Sequence, residues 1–316
     1  MVSLPKDIID EVFDNANEFS NRYSSKFVLP RLIRTTAGKL SCWADIKHSL
    51  RDENYEPRRC NVKLFEYHEG LTLFDCTNGY SNCYEPERLY CEVGKLCNHW
   101  HQFLSSQLYL LDRLKKMRGQ SFPWQLATCA EHLERLVSNF YPDCSHKRRK
   151  MVDRVLRDFR EIESRFRMLP VHINHGDLCG KNIIVNSSTL ETFSLIDLQD
   201  LQVGAKIIDF SILALYCVLE QNFFSFQEAV RNIPRWLYLG YVQNSANLSG
   251  EEITLVPTLM KLRLCQSLLN GQLAFEADPS NEYIMITNKR GWILLDLLVN
   301  NPNYSDPNSL SSLWTS

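Results

Sequence analysis

Two carboxylates and an amide flank a pair of short apolar runs in the segment HINHGDLCGKNIIVNSSTLETFSLIDLQD, residues 172–200. The runs NIIV and FSLI are joined by the polar segment NSSTLET, a pattern that predicts a β-hairpin. Asp177 and Asn182 enter this hairpin and Asp197 leaves it, so strand pairing brings the three side chains to one end. Carboxylates buried close together lose hydration and disfavour each other's ionised form unless a cation is present. The pattern therefore predicts an oxygen-lined site for a divalent cation.

The order of these residues indicates phosphoryl transfer. Mg²⁺ prefers oxygen ligands, takes one or two from the protein and leaves the others to water and phosphates. In the protein-kinase template, an Asp accepts the proton of the acceptor hydroxyl, an Asn binds metal, and a later Asp binds metal again. Asp177, four intervening residues, Asn182 and then Asp197 follow that order. A structural alternative, in which the two aspartates cap turns and Asn182 opens a strand, explains each residue but not their joint spacing.

Three neighbouring side chains are predicted to support this site. His175, two residues before Asp177, is expected to brace the loop by hydrogen bonding rather than to transfer protons. Asp209 stands in front of a long apolar helix, where it is either a helix cap or a brace for the same loop. Asp200 follows Asp197 closely enough to face the site.

The elements that would position these residues form a small, partly β front and a larger helical back. Apolar residues recur at helical spacing in residues 6–23, which predicts an amphipathic helix. Two segments rich in β-branched and aromatic residues, 26–36 and 61–67, predict short strands, with a polar loop at 45–59 between them. The rest of the chain is mainly helical in its periodicity. The hairpin is therefore expected to stand alone within a helical region.

Composition narrows the class of protein. The 316 residues are 44% hydrophobic, which is enough to build a large core. Thirty-five basic and 37 acidic residues give a net charge of −2, so charge supplies no reason to expect a nucleic-acid or membrane partner. Eleven cysteines without a CxxC pair, and no apolar stretch near the ~20 residues that cross a bilayer, indicate a cytoplasmic protein with reduced thiols. The oligomeric state is not indicated, and the turn-rich tail, residues 300–316, is expected to pack loosely.

HGDLCGKN followed by LIDLQD resembles the aminoglycoside phosphotransferase and choline kinase superfamily, whose pattern is HGDxxxxN and then IDxxD. The resemblance implies an α+β, protein-kinase-like fold of two lobes and nucleotide-dependent phosphorylation of a small-molecule hydroxyl. It implies that Asp177 is the base and that Asn182 and Asp197 bind Mg²⁺. We accordingly expect an N-terminal lobe at residues 1–68 and a mainly helical catalytic lobe at 69–316.

A narrower resemblance links INHGDLCGKNII, RLCQSLLNGQL at 263–273 and EYIMITNKRGW at 282–292 to the hydroxylysine kinase branch of that superfamily. It implies phosphorylation of 5-hydroxy-L-lysine in the cytoplasm, with GTP as donor, ATP being the other candidate. FEYHEG, at 65–70, resembles the hinge, where the backbone of Glu66 and His68 would bind the base. Because this substrate carries two amines, acids should line its pocket, and Asp200 is a candidate. On a later helix, Arg263 and Gln266 either face the pocket or pack on the helix surface.

One departure from the family pattern concerns the N-terminal lobe. Family chains begin with a glycine-rich hairpin over the phosphates and a strand lysine that pairs with a helix glutamate. Glu11 resembles that glutamate, but no strand-borne lysine precedes it, since Lys6 belongs to the same helical turns. We therefore expect a truncated N-terminal lobe and weakened activity. The alternatives are a catalytically impaired kinase-fold protein that binds a nucleotide or partner, and a kinase for another acceptor such as choline, homoserine or a sugar.

Overall fold

The fold is seen in a computed structural model, which describes residues 12, 15, 27–39, 41–46, 58–79, 85–116, 124–186, 193–243, 248–280, 285 and 288–315. Glu11 lies outside these residues, as does the helix expected at 6–23 apart from Val12 and Asn15. Most of the segment 282–287 also lies outside the described ranges.

The described front of the chain is built from short strands. In chain order they are β1 (Phe27–Val28), β2 (Leu32–Ile33), β3 (Cys42–Ile46), β4 (Arg58–Val62) and β5 (Leu64–Phe65). β2 pairs with β5, and β3 pairs with β4, both antiparallel. The strands expected at 26–36 and 61–67 are confirmed. The loop expected at 45–59 is wrong at both ends, because β3 extends to Ile46 and β4 begins at Arg58.

The hairpin that carries the candidate site is confirmed, but it does not stand alone. β8 (Ile183–Val185) and β9 (Phe193–Leu195) pair antiparallel, with Ile183 opposite Leu195. β6 (Leu71–Thr72) adds to one edge and β1 to the other, giving a four-stranded sheet in the order β1-β9-β8-β6. A lone two-stranded hairpin is marginally stable in water, so the flanking strands and the buried side chains of β8 and β9 stabilise it.

A second strand pair lies just before and after the hairpin. β7 (His172–Asn174) pairs antiparallel with β10 (Gln202–Gly204), with Ile173 opposite Val203. The pairing closes the segment 175–201 into one loop-hairpin-loop unit. Both loops of that unit, which carry the candidate site residues, therefore start and end at paired backbone.

Helices make up most of the rest. They are α1 (Leu73–Thr77), α2 (Pro86–Ser106), α3 (Leu108–Lys116), α4 (Ala130–Phe140), α5 (Lys147–Met168), α6 (Ile207–Glu220), α7 (Phe226–Val242), α8 (Gly250–Ala277), α9 (Asn288–Asn300), α10 (Pro302–Ser305) and α11 (Pro307–Thr315). Every residue of α6 is buried, which marks it as the centre of the helical lobe. None of the described helices is both long enough and apolar enough to cross a membrane.

Close helix packing positions one side of the site. A Cβ on Gly94 of α2 would overlap the backbone oxygen of Leu237, and one on Gly240 of α7 would overlap that of Cys91. Glycine at both positions lets the two backbones approach closely. α2 is thereby fixed against α7, and its last turns lie beside the start of α6.

The C-terminal tail is ordered, and the expectation of loose packing is wrong. Leu310 and Trp314 are buried, and the Trp314 indole N–H donates to the backbone oxygen of Val230 at 2.9 Å. Pro302 and Pro307 stand at the first positions of α10 and α11, where a missing N–H removes no helical hydrogen bond. The prolines that suggested turns therefore begin helices.

Candidate active site

The loop before the hairpin is attached to α6 through Asp209. This carboxylate is fully buried, and its Oδ2 accepts the backbone N–H of His175 at 2.6 Å while Oδ1 accepts that of Gly176 at 2.9 Å. Gly176 has a φ of +85°, and a Cβ there would overlap the backbone oxygen of Asp200. Glycine is needed at this position for both reasons. The core helix thus holds the loop by two backbone hydrogen bonds.

A buried His–Tyr pair completes the surroundings of Asp209. His101 Nε2 lies 3.4 Å from Asp209 Oδ2, and its Nδ1 lies 2.8 Å from the Tyr241 hydroxyl. Burial raises the pKa of Tyr241, so its hydroxyl keeps its proton. The hydroxyl can then donate to Nδ1 while Nε2–H donates to the carboxylate. His101 and Tyr241 contribute to the loop through Asp209, and no sequence motif indicated either.

His175 links the two loops that flank the hairpin. Its ring is fully buried, Nε2 lies 3.0 Å from the backbone oxygen of Ile196, and Nδ1 accepts the backbone N–H of Asp177 at 3.3 Å. A tautomer with the proton on Nε2 satisfies both contacts. Both ring nitrogens therefore bond to backbone groups, one just before Asp197 and one at Asp177.

Asp177 lies at the mouth of the site with both oxygens in contact with other side chains. Its Oδ2 is 3.2 Å from Asn182 Nδ2, which also donates to the Asp177 backbone oxygen at 2.8 Å. Its Oδ1 accepts from Arg263 Nη2 at 2.7 Å. The Asp177 side chain is 29% exposed, so Oδ2 can still meet a ligand from solution.

Arg263 comes from α8 and is almost completely buried, at 2% exposure. Its Nη1 donates to the Gln266 side chain at 2.9 Å and to the backbone oxygen of Trp124 at 3.3 Å. Its guanidinium lies 5.0 Å from the ring centre of Trp124 and 5.8 Å from that of Tyr216. The sequence left open whether Arg263 and Gln266 face the site, and the structure places Arg263 on Asp177 with Gln266 beside it.

Asp197 and Asp200 follow the hairpin in a tight turn. Asp197 has a φ of 59° and a ψ of 56°, a left-handed conformation that Asp tolerates better than most residues. Burial raises the pKa of both Asp197 and Asp200, and the negative charge of Asp177 raises each further. The negative charges of these three carboxylates disfavour one another, and a cation bound among them would stabilise their ionised forms.

The donor set fits a cation held partly by phosphates. Among the described residues, both side-chain hydrogen bonds of Asn182 use Nδ2, so its Oδ1 is available there to a cation. Asp197 supplies carboxylate oxygens nearby in the fold. No three His, Cys, Asp or Glu side chains converge into a metal cage in the part of the chain that the structure describes. An amide and a carboxylate, with water and phosphate oxygens, match the way that Mg²⁺ is bound in phosphoryl-transfer sites.

The segment that resembles a hinge joins β5 to β6. The Glu66 carboxylate accepts both the Nε and Nη2 of Arg31, at 2.8 and 3.0 Å, and His68 Nδ1 lies 2.7 Å from Ser194 Oγ. The hydrogen bond from Arg31 lowers the pKa of Glu66, and burial lowers that of His68. The Glu66 N–H already donates to the Arg31 backbone oxygen at 2.8 Å, so that donor is used within the front sheet.

A buried acid under the loop was not expected from the sequence. Glu220, the last residue of α6, is 7% exposed, and its Oε2 makes no hydrogen bond within the described part of the chain. It borders a narrow crevice shared with Gly180 and Tyr90. Burial raises its pKa to about 8, although the positive charge of Lys181 acts to lower it. Its position at the end of an apolar helix gave no sign of this contact.

Solved structures with the same fold are small-molecule kinases. A microcompartment-associated aminopropanol kinase matches with a TM-score of 0.61 at 17% identity, covering 97% of this chain and 84% of that one. The GDP complex of aminoglycoside 2'-phosphotransferase-IIIa matches with a TM-score of 0.55 at 12% identity, over 92% of this chain and 81% of that one. Amicoumacin kinase hAmiN, in complex with AMP-PNP and Ca²⁺, matches with a TM-score of 0.54 at 13% identity, over 92% and 77%. These likenesses confirm the α+β, protein-kinase-like fold of two lobes.

The sequence comparison identifies the family. No curated protein matches the chain significantly. The profile of the phosphotransferase enzyme family APH matches residues 31–231, which include the hairpin with both of its flanking loops and the whole of α6. This match spans more than half of the 316 residues. The chain therefore belongs to the APH phosphotransferase enzyme family of small-molecule kinases.

Proposed function

We propose that this protein transfers the terminal phosphoryl group of a Mg-nucleotide to the hydroxyl of an amino alcohol, with 5-hydroxy-L-lysine as the expected acceptor. The observation that carries the proposal is the fixed carboxylate of Asp177, with Oδ1 held by Arg263 and Oδ2 beside Asn182 at the mouth of the site. The family match to residues 31–231 supports the class of reaction.

In this reaction Asp177 acts as the base. Its Oδ2 accepts the proton of the acceptor hydroxyl while the oxygen of that hydroxyl bonds to the terminal phosphorus and the bond to the leaving nucleoside diphosphate breaks. The asparagine N–H that now lies 3.2 Å from Oδ2 keeps the carboxylate facing the mouth of the site. His175 has both ring nitrogens committed to backbone groups, so its part is to hold the loop.

The cation is assigned to Asn182 and Asp197. When bound, Mg²⁺ neutralises charge on the phosphates as the bond to the leaving group breaks. Asn182 offers Oδ1, and Asp197 offers a carboxylate whose pKa is raised first by burial and then by the negative charge of Asp177. Asp209 holds the loop that carries the base, as its two backbone contacts support.

The choice of acceptor rests on charge and on resemblance. Asp200 lies among carboxylates, and the charges of Asp177 and Asp197 raise its pKa after burial does. A cationic amine on the acceptor would relieve that repulsion. The matched aminopropanol kinase is named for an amino alcohol. GTP as donor, hydroxylysine as acceptor and cytoplasmic location follow from the resemblance of the motifs to hydroxylysine kinase.

The nucleotide is proposed to bind between the lobes, at residues 65–70. The Glu66 N–H already donates to Arg31 within the front sheet, so we assign contact with the base to the Glu66 backbone oxygen and to the backbone of His68. The proposed lobe boundary, 1–68 and 69–316, falls in this segment. The role of Glu11 and the lack of a phosphate-binding lysine stay predictions from the sequence.

The direct test is phosphoryl transfer by the purified full chain. With Mg-GTP and Mg-ATP, a panel of 5-hydroxylysine, 1-amino-2-propanol, choline, homoserine and kanamycin is followed by nucleoside diphosphate release and by the mass of the phosphorylated acceptor. We expect acceptor-dependent turnover that is highest with hydroxylysine. Nucleotide binding by thermal shift without turnover on any acceptor would instead favour the impaired, binding-only alternative.

Asp177→Ala is the matched loss-of-function variant, with Glu87→Ala, an exposed change on α2, as the control. Removal of a general base typically lowers kcat by about 10²- to 10⁴-fold. Asp177 is partly exposed but pairs with the buried Arg263, so we expect Asp177→Ala to stay folded with a lowered melting temperature. Turnover equal to that of wild type in Asp177→Ala would overturn the assignment of the base.

A further inference from the structure

The guanidinium of Arg263 lies at a junction of four segments. It contacts Asp177 in the loop before the hairpin, Trp124 in the segment before α4, Gln266 in its own helix and the ring of Tyr216 in α6. Both Nη atoms donate to oxygens, and the two aromatic rings restrict movement out of the plane. The group is therefore fixed from several directions rather than free to follow the carboxylate.

Net stability does not account for a cation in this place. A buried ion pair gains little over well-packed apolar side chains, because desolvation offsets most of its attraction. Arg263 is 2% exposed, and its Nε finds no hydrogen-bond partner among the residues that the structure describes, so part of its hydrogen-bonding capacity is lost there. Such a residue is better explained by what it does to the side chain that it contacts.

Its effect on Asp177 is geometric. A carboxylate can rotate about its Cβ–Cγ bond and exchange its two oxygens. The 2.7 Å bond from Arg263 Nη2 holds Oδ1, and the Asn182 side chain holds Oδ2 at the other end. Both contacts together fix the plane of the carboxylate, since a rotation by half a turn only exchanges two equivalent oxygens. Oδ2 is thereby kept at the mouth of the site, where the reaction proposed above needs it.

We propose that Arg263 is the positioning residue for the catalytic carboxylate, an inference that depends on the kinase activity proposed above. It acts through Asp177 and touches neither the nucleotide nor the phosphates. Loss of the guanidinium frees Asp177 to rotate and lowers the fraction of complexes in which Oδ2 meets the acceptor hydroxyl. Misplacement of a reacting group by about 1 Å can cost on the order of 100-fold in rate.

The kinetic test compares Arg263→Gln and Arg263→Lys with Lys261→Gln. Lys261 is a matched control, because it is also a buried cation of α8, at 1% exposure, and its Nζ lies 3.5 Å from Asp158, away from the site. We expect Arg263→Gln to lower kcat by about 100-fold with the KM for nucleotide within threefold of wild type. Arg263→Lys should retain only part of the activity, since Lys cannot form the same fixed fork. Lys261→Gln should lower the melting temperature and keep kcat.

Chemical rescue separates positioning from a loss of folding. In Arg263→Ala, added guanidinium should enter the space between Trp124 and Tyr216 and restore kcat with saturable dependence on its concentration. A merely structural role predicts no such rescue at equal folded fraction. An active wild type together with an Arg263→Gln variant of unchanged kcat would refute the positioning role.

A measurement without turnover keeps this inference distinct from the proposed function. If the wild type phosphorylates no acceptor, the proposed function fails. The contact is then tested by urea unfolding of Arg263→Gln, Asp177→Asn and the double variant. We expect the shift in midpoint of the double variant to be smaller than the sum of the single shifts. Additive shifts would show that the two side chains are not coupled, and would exclude positioning of Asp177 by Arg263.

Discussion

The two sides of the proposed site are held in different ways. On the helical side, two backbone N–H groups of the loop before the hairpin donate hydrogen bonds to Asp209, a fully buried carboxylate. On the front side, an exposed ion pair between Arg31 and Glu66 adds to the backbone bond from Glu66 to Arg31 and to the contact of His68 with Ser194. Buried polar networks are strongly destabilised by loss of one member, whereas exposed pairs contribute little. The loop that carries Asp177 is therefore anchored in the buried core, whereas the Arg31–Glu66 pair adds little to the stability of the front side.

Removal of Asp209 is the strongest test of this contrast. In Asp209→Ala the backbone N–H groups of His175 and Gly176 lose their acceptor, and His101 loses its contact with the carboxylate. Loss of one member of a buried charged network costs about 3–5 kcal/mol. We expect the free energy of unfolding in urea to fall by that order, with loss of turnover in the fraction that stays folded.

Asp209→Asn sharpens this experiment. The amide keeps one acceptor oxygen for the two N–H groups and is close to the same size, so an intermediate loss is expected. A free energy of unfolding for Asp209→Ala within about 1 kcal/mol of wild type would mean that the loop is held by other contacts.

The anchor of the loop could be expected from sequence, but its partners could not. HGD and the apolar run after Asp209 are local patterns, and both lie within the matched family region. The contact of Arg263 with Asp177 joins residues 86 positions apart, and that of His101 with Asp209 joins residues 108 apart. The sequence left open whether Arg263 faces the pocket or the helix surface, and it did not identify the residue that Arg263 would contact.

The tail and the hairpin also show which structural features local sequence patterns can predict and which they cannot. Turn-forming residues at 300–316 predicted loose packing, yet the Trp314 indole is buried and bonded to Val230 of α7. The hairpin itself follows from local alternation, whereas the strands that flank it, β1 and β6, come from distant parts of the chain. Local patterns specify the elements, and long-range packing decides where they dock.

Glu220, the buried acid at the end of α6, predicts that the free energy of unfolding depends on pH. The pKa of Glu220 is raised to about 8 in the fold, from an ordinary value of 4.5. Between these values the unfolded chain releases the proton and the folded chain keeps it, so the free energy of unfolding falls as pH rises. The slope from this residue is roughly 1 kcal/mol per pH unit, and it levels off above the folded pKa.

Glu220→Gln should remove that slope. The variant should gain stability relative to wild type as pH rises from 5 to 8 and keep a constant difference above that range. Thermal and urea unfolding at each pH, with the exposed change Glu87→Gln of α2 as control, measure the effect. Parallel curves for wild type and Glu220→Gln would show that this carboxyl ionises freely in the fold.

The front side should give the smallest effects on stability. The Arg31 and Glu66 side chains are 62% and 42% exposed, and exposed pairs are typically worth about 0–1 kcal/mol. Arg31→Ala, Glu66→Ala and the double variant should therefore change the free energy of unfolding by less than about 1 kcal/mol, with a coupling that fades in high salt. The same variants should alter the KM for nucleotide more than kcat, because Glu66 belongs to the segment proposed to bind the nucleotide, whereas Asp177 is the proposed base for the acceptor hydroxyl. A coupling free energy between Arg31 and Glu66 as large as the loss expected for Asp209→Ala would mean that the front sheet is as firmly fixed as the core. Closure on a nucleotide would then have to occur elsewhere.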